Sequence, residues 1–276
     1  MATSIAVGID IGGTGIKASA VNLRTGRLTM ARDRVATPEP ATPEHVIESI
    51  LGLLHDVVVP AANRRHTIGV GFPGAIKAGV VKTAAHLDPS WVGTDAAALL
   101  SSALGHPTHV LNDADAAGLA EVRLGAGAGS SGVVLMVTLG TGIGTGLFHN
   151  GVLVPNAQLG HLQIDGKEAE ARAAASVRDA KGLSWKRWGR RVNTYLLELE
   201  NLFWPELFVI GGGVSEHFDR FGGQLTCLTP VVPATLGNDA GIIGAALWSA
   251  EQARQPARRI ATVATAVEPM ARRARK

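Results

Sequence analysis

Apolar runs separated by glycine-rich turns occupy the first part of the chain. Residues 4–12 (SIAVGIDIG) and 16–23 (IKASAVNL) are two such runs on either side of a glycine loop, so they predict a β-hairpin, which residues 28–37 would extend. Residues 43–64 have apolar positions at helical spacing, and a buried strand at 67–76 follows them. The order then continues with a helix at 94–105, a strand at 108–113 and a helix at 115–125.

The second part of the chain begins by repeating this order. Residues 132–154 predict a strand, a glycine turn and a second strand, which suggests that the N-terminal hairpin is duplicated. Residues 205–215 predict a buried strand, a glycine turn and a helix beginning at Ser215, and residues 238–254 predict a last helix. Residues 183–203 predict an amphipathic helix, whose apolar stripe consists of Trp185, Trp188, Val192, Tyr195, Leu199 and Leu202. This alternation of strands and helices predicts an α/β protein.

The composition indicates a well-buried chain of 276 residues, 46% of them hydrophobic, which is enough for one large domain or two ordinary ones. No window approaches 18 uninterrupted apolar residues, so we expect no membrane span. The first residues lack the basic segment of a signal peptide, so the cytoplasm is the expected compartment. A single cysteine, Cys227, excludes an intrachain disulfide and a cysteine-rich zinc site.

Positive charge is concentrated at the C-terminal end. Residues 254–276 hold seven Arg or Lys and one Glu, whereas the rest of the chain carries a net negative charge. A basic tail can recruit nucleic acid or another polyanion, although a solvated tail that keeps the protein soluble is the simpler interpretation.

The stretch GIDIGGTGIK, residues 8–17, is rich in glycine like a phosphate-binding loop, but its glycines and lysine do not have the spacing of the common phosphate-binding motifs. It lacks both the P-loop lysine pattern and the glycine spacing of a dinucleotide fingerprint, and it leads into a strand. A glycine-rich hairpin tip nevertheless lets backbone N–H groups approach an anion. Asp10 could hold a hydrated Mg²⁺, and Thr14 and Lys17 could contact phosphate. A plain glycine turn with a surface lysine is the structural alternative.

Two further glycine loops strengthen the phosphate interpretation. TLGTGIGTG, residues 138–146, adds three hydroxyl groups at Thr138, Thr141 and Thr145. GGGV, residues 211–214, follows a buried strand and would let a flat or extended group lie against the backbone. Each loop alone could be structural, but three of them in an alternating α/β chain favour nucleotide or polyphosphate binding.

The stretch LNDADAAG, residues 111–118, supplies the candidate general base. Asn112 and Asp113 stand where a strand ends and a helix begins, so either could simply cap the helix. The carboxyl ends of strands are also where ligands bind in α/β folds, and a carboxylate there could accept the proton of a sugar hydroxyl. Asp115 is the competing carboxylate, and we expect it to be the weaker choice because it lies further into the helix.

The segment PNAQLGHLQIDGKEAE, residues 155–170, is polar for a region between apolar elements. Gln158 and His161, together with carboxylates at Glu168 and Glu170, offer neutral and charged hydrogen-bond partners that suit a polyhydroxylated ligand. A structural role for the lone histidine is the alternative.

Taken in order, these motifs resemble the ROK family of sugar kinases. The resemblance rests on DIGGT at 10–14, the Pro-Gly pair at 73–74, LNDADAAG, TLGTGIGTG and the LGH at 159–161, and it spans roughly residues 5–250. Two features narrow the resemblance to the polyphosphate-using glucokinases and glucomannokinases of actinobacteria. They are the stretch KGLSWKRWGRRVNTYL at 181–196 and the missing cysteine motif.

The resemblance implies a fold, a reaction and a set of site residues. The fold would be actin-like (ribonuclease H-like): an ATPase fold of two α/β domains around a central cleft. Residues 1–111, joined by the last helix at about 241–254, would form the small domain, residues 112–240 the large one, and 255–276 the basic tail. The reaction would be phosphoryl transfer to the 6-hydroxyl of glucose, or of its epimer mannose, in a cytoplasmic homodimer. Asp113 would be the base, and the sugar ligands would be Gly74, Asn112, Asp113, Gln158, His161 and Glu170.

The resemblance also implies the donor side of the site. Mg²⁺ would be bound with ATP or inorganic polyphosphate as donor, and the phosphate and nucleotide contacts would come from Asp10, Gly12, Gly13, Thr14, Lys17, Thr138, Gly140, Thr141, Gly142, Gly211, Gly212 and Gly213. Gln158 replaces the usual family glutamate before LGH and loses its charge. Because the family's cysteine zinc motif is missing, His161 is expected to contact sugar rather than zinc, and the choice of Glu170 over Glu168 rests on spacing alone.

Polyphosphate would also need a cationic path for the phosphates beyond the reacting one. Six basic residues could form it, although an ordinary solvated helix face is an equally good interpretation: Arg178, Lys181, Lys186, Arg187, Arg190 and Arg191. The alternatives to this function are an ATP-only sugar kinase and a sugar-binding regulator without catalysis. The regulator is the less favoured, because regulators of this family carry a DNA-binding domain ahead of the DIGGT motif and only nine residues precede Asp10. We therefore expect no nucleic-acid partner.

Overall fold

Two five-stranded sheets form the framework of the protein, in a computed structural model that describes residues 5–58 and 67–254. The first sheet has the order β3-β2-β1-β4-β7, with β1 Ile5–Ile11, β2 Ile16–Asn22, β3 Asp33–Val35, β4 Ile68–Phe72 and β7 Thr108–Asn112. The second has the order β10-β9-β8-β13-β14, with β8 Val133–Leu139, β9 Ile143–His149, β10 Val152–Val154, β13 Leu207–Gly211 and β14 Val231–Pro233. The predicted tail and the end of the predicted 43–64 helix lie outside the described residues.

The two sheets repeat one topology. Each begins with an antiparallel hairpin, β1–β2 or β8–β9, and continues from the first hairpin strand into two parallel strands. The hairpin tips are the two predicted glycine loops, closed by the pairs Ile11–Ile16 and Leu139–Ile143. Both predicted hairpins, and their duplication, are therefore confirmed, as is the α/β class.

Eight α-helices and two small hairpins connect and cover the sheets within the described residues. The helices are α1 Pro43–Val58, α2 Ala96–Leu104, α3 Asp113–Leu124, α4 Glu170–Ala173, α5 Ala175–Ala180, α6 Trp185–Phe203, α7 Phe218–Phe221 and α8 Ala240–Arg254. The small hairpins are β5 Ile76–Lys77 with β6 Val80–Val81, and β11 Gln163–Ile164 with β12 Lys167–Glu168. None of these helices is long and apolar enough to cross a membrane.

Helix α8 packs against the first sheet and against α3 with its backbone in direct contact. A Cβ atom on Gly8 of β1 would lie 1.9 Å from the carbonyl oxygen of Ile242, and one on Gly69 of β4 would lie 1.7 Å from that of Ala245. On the other side, a Cβ atom on Gly244 would lie 1.7 Å from the carbonyl oxygen of Ala116 in α3. Glycine at these positions is what allows α8 to join the first sheet to α3.

Helix α6 confirms the predicted amphipathic pattern except at its end. Trp188, Val192, Tyr195 and Leu199 are buried against the second sheet. Leu202, predicted to belong to the stripe, is 60% exposed, because it is the next residue, Phe203, that turns toward this core and packs against it.

The segment after β13 differs from the prediction of a helix beginning at Ser215. A 3₁₀ helix spans Gly213–His217 instead, and the short α7 follows it. The 3₁₀ turn starts directly after Gly212, whose φ of +81° ends the strand in a conformation that glycine adopts readily.

We predict that Gly244→Ala destabilises the protein by about 1–3 kcal/mol or more, because the new methyl group overlaps the backbone of α3. Gly52→Ala is the matched control: it lies in α1 with no atom within 4 Å of an added Cβ, so it should stabilise by about 0.5–1 kcal/mol. Urea unfolding of both variants measures the difference. Equal effects at the two positions would contradict the close packing of α8.

Candidate active site

A central cavity of about 500 Å³ lies where the two hairpin tips approach the start of α3. All six residues predicted to bind sugar line it: Gly74, Asn112, Asp113, Gln158, His161 and Glu170. Several residues predicted to face phosphate line the same cavity, namely Gly13, Thr138, Gly140, Thr141, Gly142 and Gly212. Residues more than 150 positions apart in the chain therefore meet around one space.

A smaller side cavity of about 170 Å³ adjoins the central one. Five residues predicted to contact the donor line it: Asp10, Lys17, Thr138, Gly211 and Gly212. The two cavities share Asp113, Thr138 and Gly212, so the carboxylate of Asp113 stands between them.

Asn112 holds the start of α3 and one wall of the cavity at the same time. Its Oδ1 accepts hydrogen bonds from the backbone N–H groups of Ala114 and Asp115, at 2.9 and 3.0 Å. Its Nδ2 donates to the carbonyl oxygen of Gly74 at 3.2 Å. The helix-capping role and a position in the cavity wall, which were alternatives in the sequence, are thus combined in one side chain.

Asp113 is half-buried at the first position of α3. Burial, together with repulsion from the nearby carboxylate of Asp10, raises the pKa of Asp113 to about 7, although a hydrogen bond from the Ala114 N–H opposes the shift. A carboxyl group with a pKa near neutrality suits a general base, because about half of it is ionised at neutral pH and the ionised form binds a proton strongly.

Asp115, the competing carboxylate, has a different environment. It is fully buried, its Oδ2 accepts a hydrogen bond from the N–H of Asn156 at 2.8 Å, and it does not line the central cavity. Burial raises the pKa of Asp115 to about 7 as well. The two carboxyl groups are therefore distinguished by access to the cavity rather than by acidity.

His161 and the two glutamates that follow it form a compact group. The Nδ1 atom of His161 lies 3.4 Å from a carboxylate oxygen of Glu168 and 3.9 Å from one of Glu170. Glu170 lines the central cavity and accepts a hydrogen bond from the Ile143 N–H at 3.3 Å, whereas Glu168 lies outside the cavity wall. The ligand atoms of the three residues lie within 4.8 Å of one another, a spacing that suits a metal ion, so the absence of zinc stays a prediction.

Asp10 and Lys17 face each other across the first hairpin. The Nζ atom of Lys17 lies 3.2 Å from Oδ2 of Asp10, and both side chains are mostly buried. Their opposite charges in the side cavity could bind a metal ion and a phosphate group respectively.

Three of the residues predicted to contact the donor, Gly12, Thr14 and Gly213, line neither cavity. The backbone of Gly12 is engaged within the hairpin, since its N–H donates to Gly15 and its carbonyl oxygen accepts from Thr37. Thr14 is exposed at the tip. Neither cavity therefore supports a donor contact from these three residues.

The sequence reasoning missed residues on both cavities. His86 lines the central cavity from the loop after β6, and an added Cβ on Gly13 would lie 2.9 Å from the Cβ of His86. No motif surrounds this histidine, so nothing in the sequence marked it. Asn238 lines the side cavity, and a signal for it did exist, because Asn-Asp-Ala occurs both at 112–114 and at 238–240.

The six predicted path cations divide into separate groups. Lys181 and Arg191 line a pocket of about 360 Å³ together with Lys167 and Arg172. The guanidinium of Arg178 instead stacks on Trp185, 3.9 Å from the ring centre, and Arg220 lies over the same ring at 5.0 Å. Lys186, Arg187 and Arg190 are exposed on α6.

Comparison with known proteins gives concordant matches. The model of the ROK family matches residues 6–176. The polyphosphate glucokinase of Mycobacterium tuberculosis (strain CDC 1551 / Oshkosh) is 48% identical over 243 residues, covering 88% of this chain and 90% of that protein. The polyphosphate glucokinase of Mycobacterium leprae is 47% identical over 88% of this chain and 74% of its own length.

Solved structures agree with these matches. The inorganic polyphosphate/ATP-glucomannokinase of Arthrobacter sp. strain KM superposes with a TM-score of 0.87 and 51% identity, covering 91% of this chain and 100% of that one. A glucokinase of Streptomyces griseus solved with glucose and AMPPNP superposes with a TM-score of 0.76, covering 90% and 99% of the two chains. At 24% identity, the second match bears on the fold alone.

Proposed function

The chain belongs to the ROK family and has its actin-like two-domain fold, and from that premise we propose that it is a polyphosphate- and ATP-dependent glucokinase. It transfers a phosphoryl group to the 6-hydroxyl of glucose. The relatives that support this proposal are named as polyphosphate glucokinases and as a polyphosphate/ATP-glucomannokinase, at 47–51% identity over most of the chain.

One observation carries the proposal: Asp113 stands where the central and side cavities meet. A sugar in the central cavity and donor phosphates reaching the side cavity would both lie against this carboxylate. Phosphoryl transfer depends mainly on aligning acceptor and donor and on neutralising charge, so a shared wall of this kind is what the reaction requires.

In the proposed mechanism, Asp113 accepts the proton of the 6-hydroxyl as the oxygen attacks the terminal phosphorus of the donor. The bond between that phosphorus and the leaving phosphate oxygen breaks in the same step. Asn112, Gln158, His161 and Glu170 hold the other hydroxyl groups of the sugar. The 138–142 loop lines the central cavity and would contact the donor phosphates through groups other than the Gly140 N–H, which donates to the carbonyl oxygen of Gly142.

Mg²⁺ fits the side cavity. The carboxylates of Asp10 and Asp113 are close enough for the charge of Asp10 to raise the pKa of Asp113, and a cation beside Asp10 would relieve that repulsion. Carboxylate oxygens are the ligands that Mg²⁺ prefers, and Lys17 would take a phosphate oxygen beside it. When bound, the ion neutralises negative charge on the donor phosphates.

Further properties complete the proposal: mannose as a second acceptor, a cytoplasmic location, and a homodimer without nucleic-acid or membrane partners. The division into a small domain at 1–111 with α8, a large domain at 112–240 and a basic tail at 255–276 is also a proposal, and the framework of two sheets supports its first two parts. An ATP-only sugar kinase is the main competing function.

A steady-state assay of four donor–sugar pairs tests the function: ATP or nucleotide-free polyphosphate, each with glucose or mannose. We expect turnover with both donors on glucose, and turnover on mannose as a second acceptor. Turnover with ATP alone would favour the competing kinase, and sugar binding without turnover would favour a regulator.

Asp113→Asn should lower kcat by about 10²–10⁴-fold, because the amide cannot accept the proton. Glucose binding, followed by calorimetry, should persist, since the side chain keeps its shape. In the unsubstituted protein, kcat/KM for glucose should fall with falling pH and approach a tenfold loss for each pH unit below the pKa of Asp113, as the carboxylate that must accept the proton becomes protonated. That pKa is about 7 without Mg²⁺ and should be lower with the ion beside Asp10.

The matched control for this substitution is Asp115→Asn, two residues away on the same helix and outside the central cavity. It should leave kcat within about threefold, far less than the loss of general-base catalysis. If Asp115→Asn abolished turnover and Asp113→Asn did not, the assignment of the base would be reversed.

The cationic path makes a separate prediction. Arg187→Glu combined with Arg190→Glu should raise KM for long polyphosphate and weaken its dependence on salt, because exposed cations attract polyanions over a screened range. KM for ATP should not change. The control is Arg24→Glu combined with Arg27→Glu, which makes the same charge change at two exposed positions. Both residues follow Asn22, at the end of the first hairpin opposite to Asp10. An unchanged KM for polyphosphate in the α6 variant would rule out the path.

A further inference from the structure

The turn that joins β14 to α8, residues 234–239, forms a wall of the side cavity. Ala234, Gly237 and Asn238 line this cavity together with Ala240 and Gly241, the first residues of α8. Asp10 and Lys17 line the same cavity from the first hairpin. The turn therefore faces the space that the proposed function gives to the donor phosphates.

Because the two sheets repeat one topology, Asn238 has a counterpart in Asn112, a residue that the proposed function assigns to sugar binding. The Asn-Asp-Ala sequence at 112–114 starts on the last residue of β7, the last strand of the first sheet, and runs directly into α3. The Asn-Asp-Ala sequence at 238–240 follows β14, the last strand of the second sheet, and leads into α8. Asn112 lines the central cavity and Asn238 lines the side cavity, each in the connection from the last strand of its sheet to the helix that follows.

A buried carboxylate fixes the position of this turn. Glu121, in the last turns of α3, is fully buried. Its Oε1 accepts hydrogen bonds from the backbone N–H groups of Thr235 and Leu236, at 2.9 and 2.7 Å. Its Oε2 accepts from the Ala126 N–H at 2.8 Å and from the Thr235 hydroxyl at 3.2 Å.

We propose that the 234–239 turn is a donor-binding element, in which the side-chain amide of Asn238 donates to phosphate oxygens and Glu121 is the positioning residue. The inference rests on the proposed function, since it concerns the donor of that reaction. Glu121 lines neither cavity. It acts only through the turn, where one of the residues it holds, Leu236, lies two residues before Asn238.

Three variants test the turn, and they differ in the hydrogen bonds that each one removes. Glu121→Ala removes the carboxylate and with it the acceptor of three part-buried N–H groups. Glu121→Gln keeps an oxygen for Thr235 and Leu236 but places an NH₂ group against the Ala126 N–H. Asn238→Ala removes the proposed phosphate contact at an exposed position, so folding should be unaffected.

Glu200 provides a matched control for the loss of a buried carboxylate. It lies on α6, is 7% exposed, and accepts hydrogen bonds from the backbone N–H groups of Leu228 and Thr229, at 3.3 and 2.6 Å. That loop precedes β14, whereas the turn held by Glu121 follows it, and Glu200 holds no residue of either cavity. Glu200→Ala therefore reproduces the structural damage without touching the donor wall.

The experiment measures KM for ATP, for polyphosphate and for glucose, and kcat, in all four variants. We expect Glu121→Ala and Asn238→Ala to raise KM for both donors about 5- to 30-fold, which is the range for one or two lost hydrogen bonds. KM for glucose should stay within about twofold, because the turn lies outside the central cavity. Glu121→Gln should fall between Glu121→Ala and the unsubstituted protein, and Glu200→Ala should change no KM.

Other outcomes overturn the inference. If Asn238→Ala leaves KM for both donors unchanged, Asn238 does not contact phosphate, and this conclusion holds even if Glu121→Ala fails to fold. A rise confined to ATP would mean that Asn238 meets the nucleoside rather than phosphate. Equal changes in donor and glucose KM, or the same effect from Glu200→Ala, would reduce Glu121 to a general structural role. Absence of phosphoryl transfer with any donor in the unsubstituted protein would instead refute the proposed function.

Discussion

The contact between helices α3 and α8 determines the geometry of the site. The two helices approach so closely that a methyl group on Gly244 would overlap the carbonyl oxygen of Ala116. Helix α3 begins with Asp113, and the first turn of α8 lies against the carboxylate of Asp10, 2.9 Å from where a Cβ on Gly241 would stand. Backbone packing of this kind tolerates little displacement, so it fixes how far apart the two carboxylates are.

That fixed separation explains the electrostatics of the two cavities. Asp10 lies close enough to raise the pKa of Asp113, while Lys17 balances the charge of Asp10 across the hairpin. Asp115 has an equally raised pKa from burial, but its position in the fold gives it a backbone N–H as a partner instead of access to the central cavity. Proximity to both cavities, more than acidity, therefore selects Asp113 as the candidate base.

Carboxylates also act as anchors for the loops around the cavities. Glu121 fixes the turn before α8, and Glu170 holds the backbone of Ile143 beside the second glycine loop. Asn112 does the same with its amide at the start of α3. Backbone N–H groups in such loops need acceptors once they are buried, and side chains from neighbouring helices supply them. The walls of the site are thus held by side chains that also satisfy the fold's own hydrogen bonds.

The sequence by itself determined what depends on local pattern. Alternating apolar runs and glycine turns gave both hairpins, helical spacing gave the buried face of α6, and the order of the motifs was sufficient to indicate the family. Only the tertiary structure decided which side chains share a cavity. It placed Glu170 in the wall and Glu168 outside it, brought in His86, exposed Leu202, and separated Arg178 from Lys181 and Arg191. Periodicity records which face of an element is buried, whereas the partner of each face depends on contacts between residues distant in the chain.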